Sequence, residues 1–169
     1  MARHISCADT AKLIRKALKK AFPGQKFSVR SKVYSGGASI TARWTDGPTA
    51  KVVDKFIKLY QGASFDGMID LKSYHDSALS HEDGTVEQVQ FGADYVFTSR
   101  DMSDAAREKI VAELEAAGVD TKATGTVPFS VGRVWTDEGR TDEPVLCSDS
   151  RRGDYVSNIV RDILYGRAF

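Results

Sequence analysis

Cysteine is scarce. Only Cys7 and Cys147 occur in 169 residues, far apart and in no CxxC or Cys/His ligand spacing. That excludes a disulfide scaffold and a zinc module, and leads to the expectation of two free, partly buried thiols in a reducing compartment. Long apolar runs are absent too, so nothing in the chain has the roughly 18–20 apolar residues of a bilayer-spanning helix. The N-terminal stretch MARHISCADTAKLIRKALKK lacks the apolar core of a secretory signal. No membrane partner is expected, and the expected location is the cytoplasm. There is no internal repeat and no low-complexity tract, which excludes solenoids and linkers. Walker, GxSxG, HExxH and EF-hand patterns are all missing, so no catalytic, metal or cofactor residue is assigned, and the reading leans away from an enzyme.

What is present is ordinary globular usage, with 41% hydrophobic and 28% charged residues. The length suits one domain over residues 1–169. The net charge of +1 conceals a polarity. Residues 1–34 hold nine Lys and Arg against the single acid Asp9, a net of +8, so the other 135 residues carry −7. Such polarity bears on partners and association, not on fold.

Taken in order, Ser6 is an N-cap with Asp9 in a capping-box position. Leu13, Ile14, Ala17, Leu18, Ala21 and Phe22 recur at helical spacing, with Lys12, Arg15, Lys16, Lys19 and Lys20 around them, and Pro23-Gly24 stops the helix. The period then becomes two. Phe27, Val29 and Val33 face one way, while Lys26, Ser28, Arg30, Lys32 and Tyr34 face the other. Ser35-Gly36-Gly37 turns the chain, and Ile40, Ala42 and Trp44 alternate with Ser39, Thr41 and Arg43, completing a hairpin. Thr45-Asp46-Gly47-Pro48 opens a second helix, capped by Asp46 or Gly47, with Val52, Val53, Phe56, Leu59 and Tyr60 as its apolar stripe. Residues 63–85 read as irregular, with Phe65-Asp66-Gly67-Met68-Ile69-Asp70 as a turn with two apolar anchors. Val86 to Thr98 reads as one strand with a bulge at Gly92. Ser103 caps a third helix carrying Ala106, Ile110, Leu114 and Ala117. Val131, Val134 and Trp135 suggest a short strand, and a last helix starts near Asp149 or Ser150. The expectation is an α+β domain of order α-β-β-α-β-α-α, with helices on one face of a small, mostly antiparallel sheet and loop insertions at 73–85 and 119–150.

Two groups of polar residues compete for function. Asp66, Asp70, His75, Asp76, His81, Glu82 and Asp83 could supply ligands or a carboxylate dyad, but their spacing matches no metal motif, and a solvated acidic loop explains them. An enzyme using residues 63–100, Arg100 included, stays open as an alternative. The basic set is the stronger signal: Lys12, Arg15, Lys16, Lys19 and Lys20 on the helix, with Lys26, Arg30, Lys32, Tyr34 and Arg43 on the hairpin. If they merge, they form a surface for phosphates or for an acidic protein. Only Tyr34 lies among them as an aromatic, where a nucleic-acid reader would show more.

The stretches SVRSKVYSGGASI, WTDGPT and FDGMIDLKSY, followed by FGADYVFTSRDMSDAAREKI, resemble the large polyvalent protein-associated domain, type twenty-nine. The resemblance covers roughly residues 8–118 and the last helix. It implies a context rather than a reaction, that of proteins carried by phages, plasmids and integrated elements. It implies a non-enzymatic accessory protein in the cytoplasm of a bacterial host. Such a protein would bind a host protein or ribonucleoprotein complex and inhibit a CRISPR or restriction system. The alternative is a nucleic-acid-binding module using the basic helix and hairpin. The sequence leaves the oligomeric state open.

Overall fold

A computed structural model describes residues 2–81, 84–132, 135–136, 139–140, 144–148 and 154–169. The chain divides into two compact units, Met1–Trp44 with Ala50–Arg100, and Thr45–Thr49 with Asp101–Phe169. The class is α+β.

The first unit begins with β1 (Arg3–Ile5) and α1 (Cys7–Ala21). The capping box at Ser6 forms as the sequence predicts. The Ser6 hydroxyl accepts from the Asp9 N–H at 3.1 Å and donates to the Asp9 carboxylate at 2.7 Å. β2 (Ser28–Tyr34) and β3 (Gly37–Thr45) pair antiparallel from Ser28↔Arg43 to Tyr34↔Gly37. α2 (Ala50–Ile57) runs on into a single 3-10 turn, Lys58–Tyr60. β4 (Ala63–Asp66) and β5 (Leu71–Tyr74) make a second antiparallel hairpin. β6 (Ser77–Ser80) pairs antiparallel with β7 (Val86–Phe91), and β1 joins β7 in parallel. β8 (Tyr95–Asp101) completes a three-stranded sheet of order β2-β3-β8.

Both helices cover one side of that sheet. Ile14 and Leu18 of α1, Val53 and Ile57 of α2, and Val29, Ile40, Ala42, Trp44 and Val96 of the strands form one buried cluster. Each fully buried Val, Leu or Ile side chain here contributes about 1.5–3 kcal/mol. The opposite side of the sheet carries the alternate residues and stays open.

Several expectations are corrected. Residues 63–85 are not irregular: they contain β4, β5 and β6. These strands are short and mostly exposed, so no apolar alternation marks them. Val86 to Thr98 is two strands in two sheets, broken at Gly92-Ala93-Asp94. In α2 the buried residues are Val53 and Ile57, whereas Val52, Phe56 and Leu59 are exposed by 40%, 42% and 71%. An eight-residue helix accommodates either stripe, and the neighbouring α1 decides which is covered. The helix starts at Ala50, two residues after Pro48. Asp46 instead accepts from the Ser103 N–H at 2.9 Å, at the start of the next helix. The Gly-Gly turn also divides its labour. Gly36 supplies the left-handed φ of +85°, while Gly37 has no room for a Cβ, which would lie 2.5 Å from the Asp94 carboxylate.

The second unit holds α3 (Asp104–Ala116), β9 (Thr126–Val127), β10 (Phe129–Gly132), β11 (Trp135–Thr136), β12 (Gly139–Arg140), β13 (Val145–Ser148), β14 (Asp154–Tyr155) and α4 (Val156–Gly166). Ser103 caps α3 through the Ala106 N–H at 3.1 Å. Ala106, Ile110 and Leu114 pack with Ile159, Val160, Ile163 and Leu164 of α4. α4 begins at Val156, later than expected, because Asp154 and Tyr155 first pair with Val127 and Thr126. Glu82, Asp83, Val134, Asp149 and Ser150 lie outside the described residues.

Candidate partner-binding surfaces

The register of the first hairpin sets the first surface. Because side chains alternate along a strand, Arg30 and Lys32 of β2 share a face with Ser39, Thr41 and Arg43 of β3. Val29, Ile40 and Ala42 point the other way, into the core. Ser28, Arg30, Lys32, Ser39, Thr41 and Arg43 line a shallow open depression of about 500 Å³. β8 extends the same face. Val96 is buried at 3% exposure, so Tyr95 and Phe97 on either side of it project outward. Their rings stack with centroids 6.1 Å apart and planes inclined by 23°, and Phe97 is 52% exposed. Tyr34, 42% exposed, stands at the turn end of the same face. Lys26, just before β2, is exposed.

The basic helix presents a second surface. Lys12, Lys16 and Lys20, at i, i+4 and i+8, run along one flank of α1. With Arg3 and His81 they rim a groove of about 530 Å³ floored by Ile5, Leu13, Tyr60 and Leu79. The rim is partly neutralised. Lys12 bonds the Asp9 carboxylate at 2.7 Å and, with the Ser6 hydroxyl, holds it below the usual aspartate range. Arg3 grips Glu87 through two hydrogen bonds of 2.5 and 2.8 Å, and Glu87 is lowered chiefly by Arg3 and also by His81, whose Nε2 lies 3.2 Å away. Arg15 takes the other flank and donates to the Val29 carbonyl at 2.6 Å, on edge strand β2. Lys19 lies beside it near Phe22 and Phe27.

The ten basic and aromatic candidates therefore fall into two groups. α1 packs on the inner side of the β2-β3-β8 layer, so its exposed face points away from that layer. Arg30, Lys32, Tyr34 and Arg43 point from the other side. Arg15 reaches the edge between them.

A third surface was not anticipated. The β4–β5 hairpin ends in a tip where Phe65, Met68, Ile69 and Leu71 are exposed by 51%, 94%, 66% and 53%. Met68 and Ile69 anchor nothing. Asp66 accepts from the Met68 N–H at 2.9 Å, an Asx turn that shapes the tip, and Asp70 takes a left-handed φ of 51°. The base of this hairpin is fixed by Lys72, which lies 2.8 Å from the buried Asp94 carboxylate and donates to the Gly36 carbonyl at 3.3 Å. Asp94 also accepts from the Ala38 N–H at 2.7 Å. Hydrogen bonding to Asp94 is the main cause that raises Lys72 above its ordinary value.

The acidic and histidine candidates are spread out. His75 bonds Ser64 Oγ at 2.9 Å, Asp66 and Asp70 sit on the tip, and Arg100 is buried in β8. Among the described residues, no group of three or more His, Cys, Asp or Glu side chains comes together as a metal ion requires. Cys7 is buried, and burial raises its thiol; Cys147 is exposed, and neither is in a disulfide. No helix among the described residues is long and apolar enough to cross a membrane.

Residues 5–103 match the model of the family described as large polyvalent protein associated domain 29. This chain belongs to that family. The matched stretch takes in nearly all of the first unit, so the two basic surfaces, Arg3 apart, and the apolar tip lie on the family domain. No curated protein and no solved structure matches the chain. In this polyvalent-protein domain, sequence reasoning missed Tyr95 and Phe97 as surface aromatics. Their alternation about Val96 was visible, but which face was outward depended on the sheet they join.

Proposed function

We propose that this domain acts by binding rather than by making or breaking bonds, as an accessory protein of a phage or other mobile element. Its partner is a host protein or ribonucleoprotein complex in the bacterial cytoplasm, and binding inhibits a CRISPR or restriction system. The observation that carries a protein partner is the β4–β5 tip. Four large apolar side chains clustered on one exposed hairpin cost solubility and add nothing to the core, and such patches mark protein interaction sites. Membership of a polyvalent-protein domain family is consistent with the mobile-element context, and the basic row of Lys12, Lys16 and Lys20 would steer an acidic partner.

The test is plasmid or phage establishment in hosts carrying one defined CRISPR or restriction system, with and without the protein. Protection is expected, and Met68→Asp with Ile69→Asp removes it while leaving the circular dichroism spectrum unchanged. Failure to protect against any system, or protection undiminished in the doubly substituted protein, overturns this reading.

A further inference from the structure

We propose that the open face of the β2-β3-β8 sheet is a platform for single-stranded nucleic acid. This goes beyond the protein contact at the β4–β5 tip and concerns another face. Three features combine there. Arg30 and Lys32 stand two residues apart on β2, about 7 Å along the strand, a spacing suited to neighbouring phosphates of an extended chain. Arg43 adds a third cation on the central strand, and Ser28, Ser39 and Thr41 supply hydroxyl donors between them. Across the sheet on β8, Tyr95 and Phe97 offer stacked rings, with Phe97 half exposed.

Cations on one edge and aromatics on the other are two strand spacings apart, about 10 Å. A nucleotide bridges that distance with its phosphate toward β2 and its base over β8. Exposed sheets with surface aromatics bind unpaired bases by stacking, which tolerates any sequence. Paired bases expose no faces to these rings, so a duplex lacks that contribution. An acidic protein would use the cations and leave Phe97 idle. The helix surface does not take part, because α1 lies on the covered side of the layer.

Fluorescence anisotropy with labelled oligothymidine and oligouridine of about 10 nucleotides tests this directly. Both single strands are expected to bind, because ring stacking and phosphate contacts are open to DNA and RNA alike. The log–log salt slope should be near −2 for three phosphate contacts. Phe97→Leu, which keeps an apolar side chain but removes the ring, should weaken binding roughly fivefold or more. Arg30→Gln with Lys32→Gln should weaken it further and flatten the slope to about −0.7. Lys12→Gln with Lys20→Gln, and Met68→Asp, should leave it unchanged, which separates this site from the tip. The proposal is overturned by absence of binding at low salt, by equal binding of a duplex with no effect of Phe97→Leu, or by polyglutamate competing as well as the oligonucleotide.

Discussion

The two hairpins of the first unit are built from the same backbone plan and put it to opposite use. In β2–β3 the apolar residues Val29, Ile40, Ala42 and Trp44 lie under two helices, and the outward face is polar. In β4–β5 the large apolar residues Phe65, Met68, Ile69 and Leu71 lie in water. The first hairpin is held by its own buried face. The second is held at its base, through Lys72 and Asp94 and through the Gly62 backbone, which accepts from the His75 N–H at 2.9 Å. Apolar side chains therefore mean stability in one hairpin and an unsatisfied surface in the other.

The contrast is sharpest in core truncation. Ile40→Ala should cost about 2–5 kcal/mol in urea unfolding, as full burial implies. Ile69→Ala should change stability by no more than about 0.5 kcal/mol. Equal losses at both sites would mean that the tip is a core element after all.

The turn glycines probe the same difference. Gly37→Ala should destabilise by about 1–3 kcal/mol, because the Asp94 carboxylate blocks the added methyl and is itself pinned by Ala38 and Lys72. At Gly67 the nearest atom to a Cβ is 3.9 Å away, and Gly67→Ala should be nearly neutral in the same measurement.

Lys72 is the link between the hairpins. Lys72→Met should cost about 1–3 kcal/mol by removing the ammonium from the buried Asp94 carboxylate, which keeps its bond from the Ala38 N–H. Its pH signature has a fixed sign. A lysine raised above 10.5 on folding contributes stability that is complete below that value and is lost as pH rises through the higher folded value. The wild-type protein should therefore lose stability on the alkaline side above about pH 10.5, and Lys72→Met should flatten that limb in thermal melts. The smallest effect belongs to the outward face of the first hairpin. Arg43→Gln should alter stability by less than about 0.5 kcal/mol while weakening oligonucleotide binding, so a large stability loss there would blur the line between core face and ligand face.

Local chemistry was legible in the sequence wherever it closes within a few residues. The Ser6–Asp9 box, the Ser103 cap and the β2–β3 hairpin are of this kind, since each needs only near neighbours and a backbone turn. The stripe of α2 was right at Val53 but missed Ile57, because Val52 and Phe56 satisfy the period as well as Val53 and Ile57 do. The strands β4 to β6 carried no signal, because no core alternation marks strands that stay mostly in water. The ten basic and aromatic candidates were all found exposed, yet their grouping was not readable, since helix and hairpin adjoin in sequence but not on one surface.

By itself the sequence determined the four helices, the first hairpin, the concentration of positive charge in residues 1–34 and the family. These follow from periodicity, caps, composition and motif, all of which are properties of neighbouring residues. Tertiary structure alone decided that α1 covers one side of the sheet, which sends the helical lysines and the hairpin cations in opposite directions. It also decided that Tyr95 and Phe97 join those cations, and that Met68 and Ile69 face solvent. Each outcome depends on which side of a strand or helix another element covers, and that is settled only when distant segments pack.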